Sequence, residues 1–144
     1  ELAERGVPIS LGVDGSASSE SGSISNEAMM AFLLHRAAAG PGATTPEGIR
    51  HWATRGGAEL LGFDTGRIAE GAAADLVFYD LTAPRFAGLW QPDLAPVLCG
   101  EPVHVARAMV AGRWTVRDGS VVGVDAQVIA SRAAAARARL TPHL

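Results

Sequence analysis

The chain has 144 residues, which is enough for one domain or for parts of two larger ones. Hydrophobic residues make up 48% of it, so it can bury a core, and its net charge is -3. All 12 basic residues are arginines scattered along the chain, which excludes the basic patch typical of proteins that bind nucleic acid or an anionic membrane. The one cysteine, Cys99, excludes an internal disulfide framework and indicates a reducing, cytoplasmic environment.

The opening residues 1–6 look like the end of a helix, and there is no initiator methionine. We therefore expect a C-terminal piece of a longer protein. No apolar run is long enough to span a bilayer, and no signal peptide is visible.

A buried strand is predicted at residues 7–13, and it ends at a carboxylate, Asp14. Residues 14–25 come next as a loop rich in glycine and serine. In barrel enzymes the chemistry takes place where strands end, so Asp14 is a candidate metal ligand or general base. The alternative is that Asp14 only turns the chain or caps the segment after it.

Two helices are predicted next. Residues 26–39 place apolar side chains at three- and four-residue spacing, and Gly40-Pro41-Gly42 ends that helix. Thr45 is the expected N-cap of a second helix, with a proline in its first turn. Gly56-Gly57 is expected to break this helix, and one more turn ends at Gly62.

The pattern changes after residue 63 to that of a small β unit. Strands are predicted at residues 74–80, 103–110, 114–117 and 120–122, with Asp118-Gly119 as a strong hairpin signal. The segment 82–96 contains three prolines and is expected to be irregular. A terminal helix then ends before Pro142.

Other residues with reactive side chains form no recognisable site. The four histidines (His35, His51, His104 and His143) lie in no local zinc-binding motif, and Cys99 has no partner cysteine. No dinucleotide fingerprint, phosphate-binding loop or serine-nucleophile motif is present. The residues alone therefore give one candidate acid, Asp14, and no complete active site.

Three motifs, taken in chain order, resemble the metal-dependent amidohydrolase superfamily. Residues 12–18 (GVDGSAS) are similar to its strand-eight motif. Residues 66–77 (GRIAEGAAADLV) are similar to the signature where the chain leaves the barrel for a β-sandwich. Residues 110–119 (VAGRWTVRDG) are similar to its closing hairpin. Finer details, including residues 14–18, 33–36, 85–88 and 98–100, resemble the 8-oxoguanine deaminases and hydroxydechloroatrazine ethylaminohydrolases.

This resemblance implies an α/β fold, the C-terminal part of a (β/α)8 TIM barrel with a small β-sandwich unit and a terminal helix. The barrel would supply its last strand and the helices after it. The expected division places the barrel segment in residues 1–62, the β-sandwich portion in 63–124 and the C-terminal helix in 125–144.

The resemblance also implies hydrolytic deamination of an aminated purine-like heterocycle of the 8-oxoguanine type, with one divalent metal ion, usually zinc. Asp14 would be the strand-eight metal ligand and would carry a proton from the metal-bound water to the leaving ammonia. Ser16 and Ser18 could line the substrate pocket, although local turn hydrogen bonds are an alternative role for them. The other metal ligands would lie upstream of Glu1, so the isolated chain is expected to be inactive.

Other interpretations stay open at this point. A triazine or other cyclic-amidine amidohydrolase would use the same strand-eight aspartate. A truncated, non-catalytic module with a structural role is the alternative outside the enzyme class. The expected partners are a small heterocyclic substrate and, in the full-length form, further copies of the chain, with neither nucleic acid nor membrane.

Overall fold

The computed structural model describes residues 2–15, 22–99 and 103–140. The helices are α1 (Ile24–Ala39), α2 (Pro46–His51), α3 (Gly57–Leu61), α4 (Ala95–Leu98) and α5 (Ala126–Leu140). Four strands are consecutive in the sheet: β1 (Leu76–Asp80), β2 (His104–Val110), β3 (Arg113–Arg117) and β4 (Ser120–Val121). Short 3-10 turns lie at Ala3–Arg5, Pro84–Phe86 and Pro92–Leu94. Within the described ranges, no helix is both long and apolar enough to cross a membrane.

Side-chain caps fix the starts of the first two helices. The Ser23 hydroxyl accepts a hydrogen bond from the Asn26 N–H at 3.4 Å, so α1 begins two residues earlier than the apolar spacing predicts. The Thr45 hydroxyl accepts from the Gly48 N–H at 3.1 Å, which confirms the predicted N-cap of α2. These helices meet α4 in a small core built on Ala28, Ile49 and Val97.

The predicted break at Gly56-Gly57 is wrong. A π-helical turn, Trp52–Gly56, joins α2 to α3 without interruption, and Gly62 ends the helix in the left-handed conformation as predicted. Both glycines have helical backbone angles. Gly56 is buried against the chain segment that precedes Asp14. Because glycine has no side chain, the helix can lie close to the backbone of that segment, and this contact rather than a helix break explains the glycine.

Residues 7–13 have the apolar pattern of a strand but pair with none of the four strands in the described part of the chain. The segment is tied to the helices instead, through the Leu11 N–H, which donates to the Trp52 carbonyl at 3.2 Å. A strand is defined by its neighbours, because its N–H and C=O groups must find partners in an adjacent chain. The apolar pattern of residues 7–13 is typical of a strand, but it does not show which chain segment would pair with them.

The sheet is antiparallel throughout, in the order β1-β2-β3-β4. Its two hairpin turns each place consecutive residues at positive φ: 47° and 75° at Ala111-Gly112, and 49° and 73° at Asp118-Gly119. This is the turn geometry that matches strand twist, and the Asp-Gly signal predicted the second turn correctly. The Asp75 carboxylate braces the first turn, because its Oδ1 accepts from the Ala111 N–H at 2.6 Å.

The predicted irregular segment 82–96 holds two 3-10 turns and the start of α4. Its side chains supply part of the buried core, including Phe86, Leu94 and Ala95.

The surface of the chain is large for its mass. It exposes 10489 Å², against about 7,000 Å² for a compact protein of 14.8 kDa. Helix α5 has no buried side chain, and large apolar residues such as Leu61, Phe63 and Ile68 are more than half exposed. Apolar surface of this extent is normally covered by further protein.

Candidate metal and catalytic site

Asp14 lies at the end of the extended segment, with its side chain exposed to solvent. Its backbone is left-handed, with φ of 63°, a conformation that aspartate adopts more readily than most residues. The Gly15 N–H donates to the Asp14 Oδ1 at 2.7 Å. Within the described ranges Oδ2 has no hydrogen-bond partner, so this oxygen is open to a ligand or to a proton.

Three contacts hold the segment that carries Asp14. The Leu11 N–H donates to the Trp52 carbonyl, and the Leu11 side chain packs against the core of Ala28, Ile49 and Val97. The Ile9 carbonyl oxygen lies directly against the α-carbon of Gly56. Trp52 and Gly56 could not be identified from the sequence as supports of this segment, since neither residue type signals a contact with residues more than 40 positions earlier.

The described residues fit one ligand position of a metal site and no more. An exposed carboxylate with one oxygen engaged and the other open suits a metal ligand. In the part of the chain that the structure describes, however, no three histidine, cysteine, aspartate or glutamate side chains converge on a common point. A catalytic zinc needs about three protein ligands, so Asp14 cannot hold one alone.

The two predicted pocket residues, Ser16 and Ser18, lie outside the described residues, and their suggested role stays a prediction. The histidines that the structure describes form no three-ligand group with Asp14. His35 bonds through Nδ1 to the Ala31 carbonyl at 2.8 Å and packs near the Trp52 ring, at 5.6 Å between centroids. His104 lies in β2, with its ring against Gly119 of the second hairpin.

Two carboxyl groups have lowered pKa values, and local contacts explain both. The Thr82 hydroxyl and the Thr82 N–H both donate to the Asp80 Oδ1, at 2.6 and 2.8 Å, and they lower the pKa of Asp80. The pKa of Glu59 is lowered first by its hydrogen bond from Arg55, one helical turn earlier. Glu59 is exposed and Asp80 is partly buried, and both carboxyl groups stabilise the fold rather than belong to the candidate site.

An apolar cleft of about 510 Å³ lies between α1, the π-helical turn, β1 and α4. Arg50 and Asp93 form an ion pair at its edge, with 2.5 Å between the guanidinium nitrogen and the carboxylate oxygen. Asp14 does not line this cleft. The described residues therefore present the candidate carboxylate on an open surface.

The comparisons with known proteins agree with one another. The profile of the amidohydrolase family matches residues 1–115. The 8-oxoguanine deaminase of Pseudomonas aeruginosa is 46% identical over 140 residues, which cover 96% of this chain and 31% of that enzyme.

Two solved structures share the fold. A zinc-bound adenosine deaminase from Xanthomonas campestris superposes with a TM-score of 0.87 at 25% identity, over 98% of this chain and 33% of its own. The zinc complex of atrazine chlorohydrolase from Arthrobacter aurescens gives 0.81 at 27% identity, over 92% of this chain and 30% of its own. The chain thus spans about a third of the length of these relatives.

Proposed function

Because this chain belongs to the amidohydrolase family, we propose that it is the C-terminal part of a longer aminohydrolase that deaminates a purine-like heterocycle of the 8-oxoguanine type. The observation that carries the proposal is the 46% identity to an 8-oxoguanine deaminase along 96% of the chain. The exposed Asp14, at the end of a segment expected to be a barrel strand, gives that likeness a chemical basis.

The family and the fold were both predicted from the motifs, and both are confirmed. The family profile covers residues 1–115, and the structural matches extend over nearly the whole chain. The relatives are about three times as long, so the barrel that would surround Asp14 corresponds to parts of those proteins that this chain does not match.

Hydrolytic deamination joins a water oxygen to a ring carbon and breaks the bond from that carbon to the exocyclic nitrogen, which leaves as ammonia. The attacking water must lose a proton, and the leaving nitrogen must gain one. Asp14 suits both transfers, because its Oδ2 has no partner among the described residues while the Gly15 N–H steadies Oδ1. The same carboxylate can accept the proton first and return it to the nitrogen afterwards.

A divalent metal ion, zinc by analogy with the zinc-bound relatives, would supply the acidity that makes a water nucleophilic near neutral pH. Asp14 is the residue of this chain that would contribute to holding it. The remaining ligands would come from the rest of the longer protein, since the described residues form no group of three ligands around Asp14.

A second candidate function is hydrolysis of a substituted triazine. It is favoured by the structural match to atrazine chlorohydrolase, with a TM-score of 0.81. Asp14 does not distinguish the two candidates, because both reactions replace a ring substituent with hydroxyl from water. Substrate choice in barrel enzymes depends on several strand-end loops.

The test uses the purified full-length protein with added zinc and measures release of ammonia from 8-oxoguanine, from adenosine and from an amino-substituted triazine. Fastest ammonia release from 8-oxoguanine supports the proposal. A clear preference for the triazine moves the assignment to the second candidate. No turnover of any of the three by zinc-loaded protein contradicts the proposal and favours a non-catalytic module.

A further inference from the structure

We propose that Gly56 positions Asp14, by allowing the helix that carries it to lie directly against the backbone of the segment that ends at the carboxylate. The inference rests on the proposed function, in which Asp14 serves the reacting centre. It adds a residue that does not touch substrate or metal but determines where the carboxylate stands.

The first support is the contact itself. A side-chain β-carbon built on Gly56 would meet the Ile9 carbonyl oxygen closer than such atoms approach in real proteins. It would also come within 3.3 Å of the His51 carbonyl oxygen. Both obstacles are backbone atoms, so no rotation of a side chain can relieve the overlap, and either the segment or the helix must move.

The second support is the short path from this contact to Asp14. Ile9 and Leu11 are held by the helix, one through Gly56 and the other through the hydrogen bond to the Trp52 carbonyl. Asp14 is three residues beyond Leu11, about 10 Å along an extended chain. In the described part of the chain, residues 12–14 form no backbone hydrogen bond with the helices, so a displacement at Ile9 and Leu11 is passed on to the carboxylate.

The third support is the local helix geometry. Trp52 and Gly56 are the first and last residues of the π-helical turn, and both face the segment. Such turns are rare and are found frequently at functional sites. Here the turn places the Trp52 carbonyl oxygen and the α-carbon of Gly56 against the backbone of residues 9–11.

The neighbouring Gly57 provides a matched control. It has nearly the same backbone angles, with φ of -64° against -59° for Gly56. A β-carbon on Gly57 would meet only the Ser10 Cβ, at 3.8 Å, which is an ordinary packing distance. Gly56→Ala and Gly57→Ala therefore make the same chemical change in the same helix and differ in the overlap with Ile9.

The experiment compares these two variants in the full-length protein, with zinc affinity from chelator competition and kcat and KM from ammonia release. We expect Gly56→Ala to bind zinc about 10–100-fold more weakly, the size of loss seen when a supporting contact of a metal ligand is removed. Its kcat should fall by about 10²-fold at nearly unchanged KM, as for a misplacement of about 1 Å. Gly57→Ala should match the wild-type protein in both measurements.

Equal behaviour of the two variants, whether both are unaffected or both are impaired, would overturn the inference. Should Gly56→Ala fail to fold, Leu11→Ala and Val97→Ala decide the question, because both shorten side chains of one core while only Leu11 belongs to the segment. Loss of zinc affinity in Leu11→Ala alone supports the inference, and equal loss in both overturns it. Absence of zinc binding and turnover in the wild-type protein would instead count against the proposed function.

Discussion

At Gly66 a single added methyl group should lower the stability of the fold in two separate ways. Its φ is 78°, which disfavours any side chain. A β-carbon there would also lie 2.7 Å from the Arg55 Cα, 2.8 Å from the Arg55 nitrogen and 3.0 Å from the Thr54 carbonyl carbon. The loop that leads to the sheet therefore rests directly on the backbone of the π-helical turn.

The cost of Gly66→Ala has two parts. The left-handed conformation costs alanine about 1–2 kcal/mol relative to glycine. Forcing the loop away from the helix adds about 1–3 kcal/mol, the usual cost of inserting an atom into a packed interface. The two parts together predict a loss of about 3 kcal/mol in the free energy of unfolding.

Gly71 lies in the same loop, and its substitution measures the cost of the left-handed backbone conformation alone. Its φ is 81°, and a β-carbon built on it meets nothing within 4 Å. Gly71→Ala should therefore cost about 1–2 kcal/mol, from the backbone conformation alone. Urea unfolding of the full-length protein measures both variants against the wild type. Equal losses for the two alanine variants would refute the claim that the loop rests on the helix backbone at Gly66.

Three further predictions concern single contacts and the isolated chain. Thr45→Ala removes the cap of α2 and should lower the free energy of unfolding by about 1 kcal/mol in urea titration, whereas Thr45→Ser should retain most of it. Thr82→Val removes the main cause of the lowered pKa of Asp80, so an NMR titration should show that pKa rising towards its ordinary value. The pKa of Asp80 is lower in the folded than in the unfolded protein, so the hydrogen bonds from Thr82 stabilise the fold fully above the unfolded pKa. This stabilisation is lost as the pH falls through the folded pKa. The free energy of unfolding of Thr82→Val should therefore decrease less than that of the wild type across the same acid range. The isolated 144-residue chain should bind a dye specific for exposed apolar surface and release no ammonia from 8-oxoguanine; turnover without added polypeptide would contradict the account.

Local signals in the sequence predicted the features that depend on neighbouring residues. The cap at Thr45 arises from a side-chain hydrogen bond within one helical turn, and the helix end at Gly62 and the hairpin at Asp118-Gly119 arise from the backbone preferences of one or two residues. Asp14 could be selected because a carboxylate after an apolar run is conspicuous, and the family resemblance gave it a role.

Contacts between distant residues could not be predicted in the same way. Gly56 looks like a helix break when only its sequence neighbours are considered. The structure shows that a side chain there would overlap the carbonyl oxygen of Ile9, which is 47 residues earlier in the chain. Asp75 belongs to a recognisable motif, yet nothing in its spacing indicates that it holds the Ala111 N–H, 36 residues further along the chain. Residues 7–13 have the composition of a strand, but pairing depends on a neighbouring chain segment.

The central claim is that Asp14 serves a metal-dependent hydrolytic site in a longer protein. Its most direct test is the zinc content of the purified full-length protein, compared between the wild type and Asp14→Asn after dialysis against a weak chelator, with ammonia release measured on the same samples. The account predicts about one zinc per chain in the wild type, and in the variant both reduced retention and a loss of at least about 10²-fold in kcat. Full zinc retention with unchanged kcat in Asp14→Asn would contradict it.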